Sequence, residues 1–238
     1  IGFDQLLQIE PPSSPEVDYD YRIFNTDGTE VEHCGNGARC FATFVHEKRL
    51  SNKNPVKVKT INRVLSLYIN DNGHVSVDMG DPVFNPSAIP FITETEKILY
   101  SRKIEITGVP IELEFVPISM GNPHAVICVE DLANTAVTDI GGALGRHPDF
   151  PKGVNVGFMQ IHSEKKISLR VFERGTGETL ACGTGACAAV VAGRRLNELG
   201  SIVKVMSPGG ELEIKWEEDK PVIMTGPTKT VYEGTIDL

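Results

Sequence analysis

The 238 residues are 40 % hydrophobic and 23 % charged, an ordinary composition that can bury one large core or two smaller ones. A formal charge of −9, with no basic stretch interleaved with aromatic residues, gives no support to a nucleic-acid-binding surface, and none is expected. No apolar run reaches the roughly eighteen residues of a membrane span, and the N-terminal residues do not read as a signal peptide.

In chain order, GFDQLLQIE predicts a turn and then a strand through Leu6, Leu7 and Ile9, stopped by Pro11, Pro12 and Pro15. Residues 16–24 alternate as a second strand ending in YRIF, and the turn-rich NTDGTE follows. The period then changes. Ala38, Phe41, Ala42 and Val45 share one face of a helix expected to end near Leu50. VKVKT and LSLYI predict paired antiparallel strands, and Asp71-Asn72-Gly73 a hairpin into HVSVDMG. Residues 85–96 read as irregular, and further strands lead to GNPH at 121–124, a turn before an apolar strand from Ala125 to Val129. Residues 131–145 are weakly helical and read as a crossing element between lobes. VGFMQIHS and LRVFE are strands, and Ala186, Ala189, Val190 and Gly193 line a second helix with Gly200 as its C-cap. SIVKVMSP and ELEIKWE continue as strands, as does the stretch from VIMTG to the C-terminus.

The helix starts carry two related heptads, CGNGARC from Cys34 and CGTGACA from Cys182, 148 positions apart. The same offset lays YRIF on LRVF, Glu30 on Glu178, Gly35 on Gly183, Gly37 on Gly185 and Ala38 on Ala186. One offset held through a strand, a turn and a helix start indicates duplicated half-domains. The expected fold is α/β, with α+β-like segregation, in two pseudo-symmetric lobes. Each lobe is a mostly antiparallel or mixed, barrel-like sheet around a central helix. The lobes are expected at 1–117, incomplete at its start, and 118–238, with strand exchange near the C-terminus.

Both cysteines fall where a helix leaves N–H groups unpaired, a position that favours an anion and predicts a depressed thiol pKa. Five cysteines (Cys34, Cys40, Cys128, Cys182 and Cys187) form neither a secreted disulfide framework nor a zinc-like spacing, so reduced thiols in the cytoplasm are expected. Two such thiols on one substrate suit inversion at a carbon: one removes a proton while the other delivers one to the opposite face. A redox dithiol is the rival use, weakened by the lack of Cys-x-x-Cys spacing. Covalent catalysis by one cysteine with His124 as base is another, but it leaves the second copy idle. Asn25, Asn122 and Asn155 sit beside turns at strand ends, as substrate-binding amides or as turn and cap residues. Glu173 and Arg174 follow a repeated strand, where a substrate clamp would sit. His33, His46, His74, His147 and His162 read as surface or packing residues, and His124 stays open between the two uses.

The chain resembles the diaminopimelate epimerase family along its whole length, through GFDQLL at 2–7, FNTDG at 24–28, HCGNGARC at 33–40 and GNPH at 121–124. VNVGF at 154–158, FERGTGETLACGTGA at 172–186 and SPGG at 207–210 complete the resemblance. It implies PLP-independent, metal-free, two-base epimerisation of LL- and meso-diaminopimelate in lysine biosynthesis, in a homodimer, with Cys34 and Cys182 as the acid–base pair. It further implies that Gly35, Asn36, Gly183 and Thr184 hold the carboxylate at the reacting carbon. Gln5, Asn25, Asn122, Asn155 and Arg174 would then serve as substrate ligands, with Glu173 and His124 beside the reacting centre. The family opens with a strand, a loop and a helix that have no counterpart ahead of Ile1. Proline and hydroxyproline racemases share the paired cysteines and are the alternative enzyme reading. A non-catalytic dimerising or binding chain is the alternative from another class.

Overall fold

The duplicated sequence folds into a duplicated topology. The computed structural model describes residues 2–3, 5–31, 34–61 and 63–235. They form two compact units, Ile1–Asp78 with Thr225–Leu238, and Met79–Met224.

In the first unit β1 (Gln5–Glu10) pairs antiparallel with β2 (Tyr19–Asn25), Gln5 standing opposite Asn25. The chain then crosses through α1 (Gly35–Glu47) to β3 (Val56–Lys59), which lies parallel to β2 with Tyr19 opposite Val58. Antiparallel β4 (Val64–Ile69) and β5 (Val75–Asp78) follow in the same sheet. Val56 and Val58 point inward while Lys57 and Lys59 point out, the period-two pattern of a half-buried strand. Phe41 of α1 packs on Tyr21 with ring centroids 4.8 Å apart. Each such buried side chain contributes roughly 1.5–3 kcal/mol.

The second unit holds β6 (Tyr100–Ile106), β7 (Val109–Ser119), β8 (Pro123–Cys128), α2 (Val137–Gly145), β9 (Asn155–Ser163) and β10 (Lys166–Glu173). It continues with β11 (Gly177–Thr179), α3 (Gly183–Arg195), β12 (Ile202–Ser207) and β13 (Gly210–Lys215). Neighbours run β6–β7–β8–β9–β10–β12–β13, with β8 parallel to β9 and β10 parallel to β12. Phe91 stacks on Phe150 and meets Tyr100 and Phe115 edge-on, forming an aromatic cluster in the core that α2 packs against.

The strand–helix–parallel-strand crossover β2–α1–β3 is repeated as β10–α3–β12. Phe24 bridges Glu30 as Phe172 pairs with Glu178, and the Arg22–Glu30 ion pair (2.8 Å) has its twin in Arg170–Glu178 (2.6 Å). The two helices differ in cover. In α3 every residue from Gly183 to Gly193 is buried, whereas α1 leaves Cys40 and Phe44 exposed beside an apolar cavity of about 730 Å³. Ala-rich α3 is small and apolar all round, as full burial requires.

Several expectations are corrected. The boundary at 117/118 falls inside β7, whose Pro117 and Ile118 pair with Ala125 and His124 of β8; the compact units divide instead at 78/79 and within β14 (Ile223–Gly226). The expected crossing element at 131–145 is internal to the second unit, where its helical part, α2, packs on β6, β9 and β10. The helices end sooner than their apolar period suggests, at Glu47 and Arg195, because Arg49 and Asn197 turn to positive φ. Beyond Gly226 residues 227–235 adopt no regular structure. The reading of His33 falls outside the described residues.

Candidate active site

Cys34 is the N-cap of α1, extended at φ −140° and ψ 103°, and its sulfur accepts the Gly37 N–H at 3.2 Å. Gly35 and Asn36 begin the helix, and Asn36 Oδ1 accepts from Arg39 Nη1 at 3.1 Å. Gly37 cannot be larger, since a Cβ there would collide with the Tyr21 hydroxyl. At the end of β2, Asn25 Oδ1 accepts from Gln5 Nε2 at 3.2 Å, and Asn25 Nδ2 donates to Thr29 Oγ1 at 3.3 Å. Antiparallel register thus brings Gln5 and Asn25 together, although they are twenty residues apart in sequence.

The second unit assembles more of the singled-out residues. Cys182 caps α3 at φ −128° and ψ 110°, with Gly183 and Thr184 as the first helical residues and Thr184 Oγ1 3.5 Å from its sulfur. Asn122 Nδ2 donates to Thr184 Oγ1 at 3.2 Å, and Asn122 Oδ1 lies 3.0 Å from His124 Nε2. Asn155, buried at the start of β9, accepts the Arg174 backbone N–H on Oδ1 at 2.9 Å and donates from Nδ2 to the Pro123 carbonyl at 3.0 Å. Arg174 donates from Nη1 to the Lys152 carbonyl at 2.8 Å, which spends one arm of its fork and leaves the guanidinium oriented. Glu173 accepts from Thr179 Oγ1 at 2.6 Å.

Electrostatics overturn the expected low thiol pKa. Burial raises both thiols above their ordinary value, Cys182 to about 12, with the Glu173 carboxylate adding to the rise. The helix-start N–H groups of Asn36, Gly37 and Gly185 pull the other way, as does the Thr184 hydroxyl, but they do not offset desolvation. His124 is pushed down to about 3 by burial, aided by the positive Arg174, and is neutral across the physiological range. Among the described residues, no cluster of three or more His, Cys, Asp or Glu side chains could hold a metal, and no helix is long and apolar enough to cross a membrane.

Two participants escaped sequence reasoning. Thr179 holds Glu173, and its counterpart at the 148-residue offset is Val31, so the duplication carried no signal for it. The other is Lys152, whose carbonyl orients Arg174, and no residue type marks a backbone acceptor in sequence.

Solved structures share this architecture of two α/β units with mixed sheets flanking helices. A hydroxyproline epimerase from Agrobacterium vitis superposes with a TM-score of 0.69 at 16 % identity, covering 94 % of this chain and 72 % of that one. A phenazine biosynthesis protein of the PhzF family from Bacillus anthracis superposes with a TM-score of 0.62 at 17 % identity, covering 95 % and 82 %. At these identities the likeness is one of fold alone. The sequence goes further. A family model described as diaminopimelate epimerase matches residues 1–85 and 116–231. The diaminopimelate epimerase of Psychrobacter arcticus is 53 % identical over 237 residues, 98 % of this chain and 80 % of that protein. That of Acinetobacter baylyi is 53 % identical over 238 residues, 100 % of this chain and 84 % of that protein. Fold and sequence together define an enzyme of the cofactor-independent, two-cysteine epimerase class. Within that class the chain belongs to the diaminopimelate epimerase family.

Proposed function

We propose that this chain interconverts LL- and meso-diaminopimelate on the route to lysine, using Cys34 and Cys182 as the two bases. One observation carries the reading. Two cysteines cap matching glycine-led helices in a chain 53 % identical to diaminopimelate epimerases over nearly its whole length. One thiolate takes the α-proton and becomes a thiol. The other thiol gives its proton to the opposite face and becomes a thiolate, so the pair ends with its protonation states exchanged. An α-proton is weakly acidic, so the driving force for its removal grows with the basicity of the thiolate, while the ionised fraction of the thiol falls.

Backbone N–H groups of Gly35, Asn36, Gly183 and Thr184 suit the near carboxylate and the charge that develops on it. Arg174 suits the distal carboxylate, with Asn155 fixing its backbone and Gln5, Asn25 and Asn122 supplying amides. Glu173 and His124 stand beside the reacting centre in this reading, and the working form is a cytoplasmic homodimer.

The test is α-carbon exchange in D₂O. With LL-diaminopimelate, early product carries deuterium at the inverted carbon while recovered substrate keeps its proton. Arg174→Lys lowers kcat/KM by roughly 10²-fold, the scale of a lost buried charge contact. Lysine and proline exchange poorly. Deuterium entering substrate as fast as product would mean a single base, and proline exchanging as fast as diaminopimelate would overturn the substrate assignment.

A further inference from the structure

A line of side-chain contacts runs through the second unit to Cys182. His124 Nε2 lies 3.0 Å from Asn122 Oδ1, Asn122 Nδ2 lies 3.2 Å from Thr184 Oγ1, and Thr184 Oγ1 lies 3.5 Å from Cys182 Sγ. The direction of each link follows from its ends. A neutral imidazole carries one proton and an amide oxygen only accepts, so that proton is on Nε2. The Asn122 NH₂ only donates, so it takes a lone pair of the Thr184 oxygen. The Thr184 hydroxyl hydrogen is then left for the sulfur. Asn122 is itself fixed by the turn before β8, where Gly121 adopts φ +93°, Gly121 N–H reaches Ser119 Oγ at 3.3 Å and Met120 N–H reaches the Asn122 carbonyl at 3.1 Å.

We propose that Asn122 is a positioning residue for Cys182: locked by His124, it holds Thr184 so that the hydroxyl hydrogen is aimed at the Cys182 sulfur. This rests on the reading of Cys182 as an acid–base thiol. A thiolate accepts that hydrogen strongly and a thiol weakly, so the line selectively favours the charged form. It works with the Gly185 N–H and against two influences that favour the thiol, burial and the Glu173 carboxylate at the end of β10. Thr179 holds that carboxylate, and the positive Arg174 acts on His124 at the far end. Without Asn122 the hydroxyl is free to rotate, and Cys182 becomes harder to ionise.

The experiment needs no turnover. Alkylation of Cys182 by iodoacetamide is followed against pH in the full chain, peptide by peptide, by mass spectrometry. Cys182 titrates at about 12, so the readout is its alkylation rate at pH values below that midpoint. There Asn122→Leu and Thr184→Val each slow it about tenfold, equivalent to about one pH unit and the scale of one hydrogen bond to a charged group. The double variant is slowed no further than Thr184→Val alone, and Thr184→Ser restores the native rate. If Asn122→Leu does not fold, Asn122→Ala takes its place in the cycle. An Asn122 variant without effect, or one whose slowing persists undiminished in the Thr184→Val background, overturns the proposal. A second readout is the ¹⁵N spectrum of the His124 ring, expected protonated on Nε2 and bare at Nδ1 from about pH 5 to 8. The opposite tautomer would reverse every link and also overturns it. Epimerisation that survives loss of Cys182 would instead refute the proposed function while leaving this titration cycle intact, so the two failures are distinguishable.

Discussion

His124 sits inside the second unit with its pKa pushed down to about 3, first by burial and then by the charge of Arg174. In the unfolded chain an imidazole takes up its proton near 6.5, so over the interval between these values the unfolded state binds a proton that the folded state refuses. The folded pKa is depressed. The associated stability is therefore fully present above about pH 6.5, declines on acidification, and stops declining near 3. At about 1.4 kcal/mol per pH unit, this one ring accounts for a loss of about 3 kcal/mol by pH 4. Asp27 and Asp131 also titrate below their ordinary range, held by the Thr29 hydroxyl and the Asn134 amide, and they weaken the fold in acid too. A His124→Gln chain keeps those carboxylates and removes only the imidazole. Denaturant unfolding at pH 7 and pH 4 is expected to show the native chain losing about 3 kcal/mol more than the variant over this range. Parallel pH dependence in the two chains would mean that the ring is not buried neutral.

At the scale of elements, the two helix starts look alike but are capped differently. Cys34 accepts the Gly37 N–H as a cap bond, whereas the Cys182 sulfur closes no cap bond and has the Thr184 hydroxyl, with the Gly185 N–H as a lesser influence. Cys34→Ala should therefore cost α1 about 1 kcal/mol, while Cys34→Ser, whose oxygen can take the same N–H, should keep most of it. Both should lose epimerisation by about 10²-fold to 10⁴-fold, since neither supplies a thiol. Thermal unfolding and turnover measured on the same samples separate the two effects, and an alanine variant as stable as native would deny Cys34 its capping role. The cap positions were legible in sequence because a strand, a Gly-rich turn and a change from period two to period 3.6 are local signals. The Arg22–Glu30 and Arg170–Glu178 twins lay in that pattern as well. The thiol pKa direction was not legible. It depends on how much of the molecule covers each helix start, and distant strands decide that. The company of Asn122, His124 and Thr184 was equally hidden, because β8 and α3 meet only through the tertiary fold.

For the whole molecule, the chain order does not follow the division into units. Met79–Met224 is one continuous stretch, but the first unit draws Thr225–Leu238 from the far end of the chain. The strand exchange expected near the C-terminus concerns this same segment, whereas the sequence boundary at 117/118 followed the repeat. The returning segment is bound by specific contacts. Thr225 Oγ1 lies 2.7 Å from Ser76 Oγ, and Thr228 Oγ1 lies 2.6 Å from Thr43 Oγ1 on α1. Thr230 Oγ1 donates to Glu47 at 3.2 Å, and Lys48 pairs with Glu233 at 2.7 Å. Thr228, Lys229 and Thr230 also wall the apolar cavity beside Phe41 and Phe44. Ending the chain at Gly226 keeps β14 and the Ser76 contact but strips the other three from α1. Two hydrogen bonds at about 0.5–1.5 kcal/mol each and one exposed ion pair at about 0–1 give a loss of about 2 kcal/mol. That corresponds to roughly 30-fold faster hydrogen exchange through local opening of α1 and β1. Amides of residues 79–224 should keep their native protection, because none of the severed contacts belongs to that unit. Equal acceleration in both units would show that they open as one cooperative body, and unchanged exchange in α1 would show that the returning segment does not hold the helix.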